Sequence, residues 1–395
     1  MIGTVAATAD PGAGARVVPF AAPHLGAAEI DAVTAVLTSS WIGTGAVTAT
    51  AEREFANYLG LPHTLLVNSG TAALHLALLS LGVGPGDEVI VPTVTFAASA
   101  AAVVHAGARP VLVDVEPGTL LADVEQVRDA VTPRTRAVVA VHVAGRMADV
   151  RALRRLCDEH DLLLVEDSAH ALPARRDGLF PGQLADAAAF SFFVTKPLTC
   201  AEGGLLATRS GAALASARTL STHGIDRGGT SRHLPGQSPH YDIVAAGLKY
   251  NLPDISSALL RCQLRKADWM WRRRQNIAAT YRRGLAGVPG LRLPSPDIPG
   301  NQSSWYLFVV ELPSGVDRDA VAARLWELGV GTSVHFRPLH QFTYYRDTWV
   351  RPAQRFPAAD AAYPSLLSLP IYPGMADDDP EVVVAMVRRV LGGGV

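Results

Sequence analysis

Residues 63–81 read HTLLVNSGTAALHLALLSL, and the fold turns on how this stretch divides. The run His63–Val67 is short, apolar and continuous, which suits a strand covered on both faces. The run Thr71–Leu81 is long enough, and rich enough in Ala and Leu, for a helix. Between them lie Asn68, Ser69, Gly70 and Thr71. A turn from strand end into helix start presents free backbone N–H groups and the positive end of the helix dipole, so it suits a phosphate. Ser69 and Thr71 would add hydroxyl donors. The same residues also suit an ordinary N-cap, and nothing local separates the two readings.

The strand–helix rhythm continues on both sides. Ala27–Leu37 reads as a helix. Glu88–Val91, Pro110–Val115, Ala137–Val143, Leu162–Glu166, Ala187–Phe193 and Gly204–Ala207 read as strands, with helices at Ala97–His105 and Met147–His160. Strands and helices in turn predict an α/β fold, a mostly parallel seven-stranded sheet sandwiched by helices. The rhythm stops after Ser210. A helix leads to His223, and a loop rich in Gly, Ser, His and Pro spans Ile225–Tyr241; it suits an active-site lid and a surface loop equally. A long helix is expected from Pro253 to Leu285. A smaller C-terminal α+β unit follows, with strand Trp305–Glu311, helix Arg318–Leu328, strand Gly331–Phe336 and helix Pro380–Leu391. The expected division is a frayed leader over 1–17, a large domain over 18–250, and a connecting helix with the small domain over 251–395.

Composition narrows the function. The formal net charge is −1, so there is no broad electrostatic case for nucleic acid or an anionic membrane as partner. No apolar run approaches the ~20 residues that span a bilayer. No basic segment followed by an apolar stretch opens the sequence, so no signal peptide is expected. Cys157, Cys200 and Cys262 are far apart and form no CxxC pair, so neither a metal site nor a disulfide framework is expected, and a cytoplasmic setting is. There is no GxGxxG after a strand, no P-loop, no HExxH and no GxSxG. The run Arg272–Arg274 reads as a solvated helix face.

Lysine is scarce. Of 35 cationic residues only Lys196, Lys249 and Lys266 are lysines. Arginine replaces lysine on a solvated surface, but not where a neutral amine must attack a carbonyl. Lys196 ends the stretch from Phe190 to Lys196 and is followed by Glu202, Gly203 and Gly204, which places it in a loop between two apolar strands. Desolvation there would favour the free amine. The paired glycines suit a backbone conformation that other residues resist. Lys266, within an arginine-rich helix, reads as a lysine retained by chance.

A third segment runs Val165, Glu166, Asp167, Ser168, Ala169, His170. Two acids follow an apolar strand at its carboxyl end, where α/β sheets bind ligands. A carboxylate here could keep a pyridinium nitrogen protonated, so that the ring accepts electrons from a developing carbanion. His170 could hydrogen-bond a ring oxygen. A helix-capping aspartate and a satisfied histidine are the alternatives.

Taken in order, these segments resemble the DegT/DnrJ/EryC1/StrS family of sugar aminotransferases, within the fold-type I pyridoxal-phosphate enzymes. The resemblance runs from Pro19 to Val390. It rests on Ser39–Gly45, Asn68–Leu74, Gly86–Phe96, Glu166–His170, Ser191–Lys196 with Glu202–Gly204, Lys249–Ile255 and Ser333–His340. It implies pyridoxal 5'-phosphate as cofactor, with pyridoxamine 5'-phosphate as the intermediate form. It further implies Lys196 as the Schiff-base lysine, Asp167 on the pyridine nitrogen, Phe96 stacked on the ring and His170 near the ring hydroxyl. Ser69, Gly70, Thr71 and Ser191 would hold the phosphate. Asn251 would reach the phosphate of a neighbouring subunit, making a homodimer part of the site. His335 and His340 would lie near the substrate. Three places depart from the family's usual pattern: Pro197 stands where Asn is common, Ala201 where Gly is usual, and Leu252, Pro253, Ser256 and Ser257 in the Asn251 helix differ as well.

The implied reaction is a two-half transamination. An amino donor, L-glutamate, leaves its nitrogen on the cofactor, and a keto sugar, a nucleotide-linked 4-keto-6-deoxyhexose, collects it. The Ala- and Arg-rich composition suits a high-GC genome, where such enzymes serve antibiotic or glycan pathways. A keto-cyclitol or other small ketone is an equally compatible acceptor. A dehydratase on this scaffold would carry histidine in place of Lys196, and a non-catalytic scaffold protein would not need all three of Lys196, Asp167 and Ser191. Arg227, Arg232 and Arg337 suit either a nucleotide diphosphate or a donor carboxylate.

Overall fold

The computed structural model of the chain describes residues 16–226, 240–351 and 353–392. Arg227, Arg232 and most of the expected lid loop lie outside them, as does most of the expected leader. The first part of the chain forms α1 (Ala27–Thr38), α2 (Ala46–Leu59), β1 (His63–Val67), α3 (Gly70–Ser80), β2 (Glu88–Pro92), α4 (Ala97–His105) and β3 (Arg109–Val113). It continues with α5 (Val124–Asp129), β4 (Thr135–Val141), α6 (Val150–Glu159), β5 (Leu163–Asp167), β6 (Ala187–Ser191), β7 (Gly204–Thr208) and α7 (Gly211–Ser221).

The seven strands form one sheet in the order β1-β7-β6-β5-β4-β2-β3. Strands β2 to β6 run parallel, and β7 runs antiparallel to both neighbours. Two antiparallel steps leave β1 pointing the same way as β6, so the carboxyl ends of β1, β5 and β6 share one edge. Val67 and Ser191 both pair with Gly204, so the start of β7 lies between those ends. The apolar runs are buried as expected, because helices cover both faces of the sheet.

Helix α2 escapes a reading by apolar runs because its buried face mixes Phe55 and Leu59 with Thr48 and Glu52. Glu52 accepts the Leu66 N–H at 3.0 Å and pairs with Arg218, tying α2 to β1. The start of α2 is capped from far away. Asp254 accepts from the N–H groups of Gly45 (2.8 Å) and Thr48 (2.9 Å) and from the Thr48 hydroxyl (2.6 Å). A remote carboxylate thus does the work of a local N-cap.

The rest of the chain forms α8 (Asp254–Arg265), α9 (Ala267–Leu285), β8 (Phe308–Glu311), α10 (Arg318–Glu327), α11 (Thr343–Thr348), α12 (Pro357–Ala362), β9 (Leu366–Leu369) and α13 (Asp379–Gly392). The single long helix expected from Pro253 to Leu285 is two helices that meet at Lys266. Lys266 has a structural part there: its ammonium binds the buried Glu29 carboxylate at 2.5 Å and the His24 carbonyl at 3.2 Å. Nor is Arg272–Arg274 a solvated face throughout. Helical rotation turns Arg274 into the core, where it donates to the Ile371 carbonyl at 2.7 Å.

A second apolar cluster joins α9, α10, α13 and the β8–β9 pair with Val18. The strand expected at Gly331–Phe336 does not form. Gly331 pairs instead with Val18, and Ser333 makes one bridge to Ser368 of β9. The second strand of this sheet is Leu366–Leu369, short and closely followed by Pro370. Among the described residues no helix is long and apolar enough to cross a membrane.

Gly204 needs space rather than an unusual backbone angle. A Cβ there would overlap the carbonyl of Ser69 and come within 2.7 Å of the Gly70 nitrogen, both backbone atoms. Overpacking against backbone cannot relax by a rotamer change, so Gly204→Ala is expected to cost about 3 kcal/mol of unfolding free energy. Urea unfolding of the two proteins measures it; a loss below ~1 kcal/mol would mean that the start of α3 can move away.

Candidate active site

The start of α3 is the first component. Ser69 is its N-cap, with the hydroxyl accepting the Ala72 N–H at 3.0 Å. A helix has no internal acceptor for its first N–H groups, so those of Gly70 and Thr71 point out of the helix end. Gly70 is pressed on β6, where a Cβ would stand 2.8 Å from the Ser191 Cβ. That closeness sets the Ser191 hydroxyl at the mouth of the helix. Its oxygen accepts the Phe193 N–H at 3.4 Å, which leaves its hydrogen to donate.

Asn251 lies on a segment that runs beside the end of β1. Asn68 donates its N–H to the Tyr250 carbonyl at 2.7 Å, and Asn251 bridges Val67. The Asn251 amide donates to the Thr44 hydroxyl at 2.6 Å, and its oxygen accepts from the Lys249 ammonium. Three of the sequence segments, Ser39–Gly45, Asn68–Leu74 and Lys249–Ile255, therefore meet here.

The two acids at the end of β5 separate, because successive strand residues face opposite sides. Asp167 accepts the Ser99 hydroxyl at 2.6 Å and the Ala169 N–H at 3.2 Å. Ser99 is itself bonded to Thr95 at 2.6 Å. Glu166 faces away and is bonded to His142 Nε2 at 2.8 Å and to the Gly182 N–H at 3.0 Å. His142 Nδ1 accepts the Ala148 N–H, so Nε2 carries the hydrogen donated to Glu166. Glu166 is thus an interior brace, and Asp167 is the acid available to a ligand.

Lys196 lies in the loop between β6 and β7. Its ammonium stands 4.7 Å from the centre of the Tyr306 ring. His170 packs on the same ring at 4.5 Å and on Phe336 at 5.6 Å. Phe336 also meets Phe96, 6.2 Å away, which caps α4 and is 51% exposed. A large aromatic ring so exposed, beside a buried histidine, is a surface waiting for a flat partner. Ala201, in the same loop, has φ +70, the left-handed region that favours glycine, the residue that the resemblance leads one to expect there.

His335 joins this group through Phe336 and stacks on Phe20, with Nδ1 bonded to the Ser368 hydroxyl at 2.9 Å. His340 does not join it. Its nitrogens are bonded to Thr93 (2.7 Å) and Asp360 (2.8 Å), and its ring lies flat on Phe356. Arg337 lies over Phe342 and donates to the Gln341 carbonyl. Ser99, Thr95, Phe336 and Tyr306 are the members that the sequence reading misses. Ser99 carried a faint signal, one hydroxyl four residues after Thr95 in a helix otherwise of Ala and Val up to its final His105. Tyr306 carried none, since it sits in an apolar run that reads as core.

Burial, reinforced by the Lys196 charge, holds the His170 imidazolium far out of reach of neutral pH. The same two causes push His335 down to about 3. Both rings are therefore neutral beside the lysine. Pyridoxal phosphate suits this set. Free N–H groups and a hydroxyl suit a phosphate, a buried carboxylate suits a protonated ring nitrogen, an exposed aromatic face suits the ring, and an amine suits the aldehyde. Among the described residues no group of His, Cys, Asp and Glu is arranged to hold a metal ion.

Comparison with known proteins gives the same picture. The sequence profile described as the DegT/DnrJ/EryC1/StrS aminotransferase family matches residues 23–388. The spore coat polysaccharide biosynthesis protein SpsC of Bacillus subtilis is 39% identical over 95% of this chain and 97% of its own length. The aminotransferase TlmJ of Streptoalloteichus hindustanus superposes with a TM-score of 0.88 at 36% identity, over 95% of this chain and 99% of that one. Spr1654 of Streptococcus pneumoniae, assigned as a sugar aminotransferase and known in pyridoxamine- and pyridoxal-phosphate forms, superposes with TM-scores of 0.90 and 0.89. It is 30% identical, over 96% of this chain and 100% of that one.

His335 gives the site a pH signature. Unfolded, it binds a proton below its ordinary value of 6.5; folded, it does so only near 3. The unfolded state therefore holds the extra proton in between, and stability falls as pH drops from 6.5 toward 3. Urea unfolding followed from about pH 7 to about 4.5 should show a slope shallower by up to one bound proton in His335→Asn, whose amide can keep the Ser368 bond. Identical slopes would mean that His335 titrates normally.

Proposed function

We propose, for a chain that belongs to the DegT/DnrJ/EryC1/StrS aminotransferase family and is a pyridoxal-phosphate-dependent aminotransferase, that it moves an amino group from L-glutamate to a nucleotide-linked keto sugar of the 4-keto-6-deoxyhexose type. The two half-reactions are of ping-pong form. One observation carries the reading. A scarce lysine, a hydrogen-bonded buried carboxylate and an open helix N-terminus converge on one edge of the sheet. The sugar is supported by two near full-length relatives, one named for polysaccharide biosynthesis and one assigned to sugars.

Each residue has a part. Gly70 and Thr71 N–H groups, with the Ser69 and Ser191 hydroxyls, hold the phosphate. Asp167, its charge oriented by Ser99, holds the ring nitrogen protonated. Phe96 would offer its exposed face to the ring, and the neutral His170 would be available to the ring hydroxyl. Lys196 would hold the cofactor through its amine, and its free Nζ would take the proton from the donor's α-carbon. The cofactor, when bound, supplies the electron sink. His335 lies on the substrate side, while His340, with both nitrogens engaged, holds its own segment on Thr93.

The protein acts as a homodimer in this reading. Ile42, Phe193, Val194, Ile243 and Val244 are large apolar residues left exposed on the single chain, and Asn251 is tied to Thr44 two positions from Ile42. Covering them with a second copy would bury apolar surface and deliver Asn251 to the neighbouring phosphate. Its three cysteines are all buried and free, in keeping with a cytoplasmic setting.

The purified protein should carry a visible absorption band that L-glutamate bleaches, and Lys196→Ala should lack it. Asp167→Asn should keep cofactor but slow the bleaching by roughly 10²- to 10⁴-fold. A colourless protein that takes up no pyridoxal phosphate would sink the proposal. The bleached form, offered a nucleotide-linked keto sugar and a keto-cyclitol, should regain colour with the first; recovery with the second alone would reassign the acceptor.

The shared site has its own test. Lys196→Ala and Asn251→Ala chains, each inactive alone, are mixed and allowed to exchange. In the mixed dimer one site has an intact lysine and an intact partner asparagine, so activity should reappear. No recovery, with exchange verified by mass, would place Asn251 in its own chain's site.

A further inference from the structure

Lys196 stands at the end of a flexible four-carbon stem, yet among the described residues its ammonium has no carboxylate partner. The contact it makes is the face of Tyr306, 4.7 Å from ring centre to Nζ. The ring is 6% exposed, so the attraction between cation and ring is little screened by water. The same tyrosine reaches the lysine's neighbour, since its hydroxyl is bonded to the Thr195 hydroxyl at 3.1 Å. The ring is itself fixed. The Ser304 hydroxyl accepts the Tyr306 N–H at 3.2 Å and donates to the His170 carbonyl. Ser304 fits because Gly145 has no side chain; a Cβ there would overlap the Ser304 hydroxyl. His170 flanks the ring on another side.

We propose that Tyr306 is a positioning residue for Lys196: its ring face seats the ε-amino group whenever the lysine is off the cofactor, most strongly once that group carries the proton it has taken, and its hydroxyl holds the turn at Thr195. This rests on Lys196 being the Schiff-base lysine. A displaced lysine must stay within reach of the donor's α-carbon, and a free stem would spread over many rotamers. The seat opposes that spread with an interaction of comparable size. Tyr306 lies two residues before β8, so the seat is built by the smaller unit and the lysine is carried by the sheet. The placement of one relative to the other therefore bears directly on the reacting amine.

The scarcity of lysine makes this testable without turnover. Cofactor-free full-length protein with ¹³C-labelled lysine should give three ε-methylene signals, with that of Lys196 identified by its loss in Lys196→Ala. The Lys196 signal should be displaced upfield by the ring current, stay displaced in Tyr306→Phe and return to the ordinary position in Tyr306→Leu. In loaded protein the glutamate half-reaction should slow roughly 3- to 30-fold in Tyr306→Leu and be largely rescued in Tyr306→Phe. An undisplaced Lys196 signal in the native protein overturns the proposal, whatever Lys196 does in catalysis. So does a displaced signal together with an unchanged half-reaction in Tyr306→Leu. Should Tyr306→Leu fail to fold, Tyr306→Met, which likewise removes the ring, is read instead. Its Lys196 signal should return to the ordinary position, and a signal that stays displaced counts against the proposal. If Lys196→Ala still bleaches with glutamate, the functional reading fails while the methylene result stands on its own.

Discussion

A helix can offer its first N–H groups to an anion only if that turn is pinned, and here the pin is the contact of Gly204 with the Ser69–Gly70 peptide. The contact exists because β7 enters the sheet antiparallel, between the ends of β1 and β6. One glycine thereby fixes the helix mouth, the Ser191 hydroxyl and the base of the lysine loop together. That base is closed by further bonds: the Phe192 N–H to the Gly203 carbonyl at 2.8 Å, and the Cys200 N–H to the Phe192 carbonyl at 3.1 Å. Lys196 is therefore carried on a loop whose two ends cannot drift apart.

The end of β5 solves a second problem. A carboxylate that must stay charged in a buried place needs donors, and Asp167 has the Ser99 hydroxyl and the Ala169 N–H. Its neighbour Glu166 is as buried and serves the other face, through His142 and Gly182. Two adjacent acids would repel if they shared a cavity. Strand alternation sends them to opposite sides, so each has its own partners.

Much of this was legible in the sequence, for a physical reason. A sheet covered on both faces demands short continuous apolar strands, and those runs are conspicuous; β1 and α4 have the bounds their residues imply. Lys196 stood out because arginine occupies nearly every other cationic position. The smaller unit was harder. Val334 and Phe336 make residues 331–336 look like a strand, but Val18 bridges Val330 just before them and Ser333 makes a single bridge to Ser368. The paired glycines were read as a conformational device, and Gly204 proves to be a matter of clearance. Ser99 and Tyr306 were out of reach because their meaning lies in whom they touch. Ser99 meets Asp167 68 positions away, and Tyr306 meets Thr195 111 positions away.

The bridge between Val18 and Val330 has a consequence for how the chain is made. Arg16, beside it, pairs with Asp378, 362 positions along the sequence. At ordinary ribosomal speeds these partners emerge on the order of tens of seconds apart. The strands of the large sheet, β1 to β7, are all translated within that interval. The sheet can therefore assemble while the residues around Val18 still lack the surface they will occupy. The smaller unit is the last to close, and it closes by drawing the earliest-made part of the described chain back onto the latest.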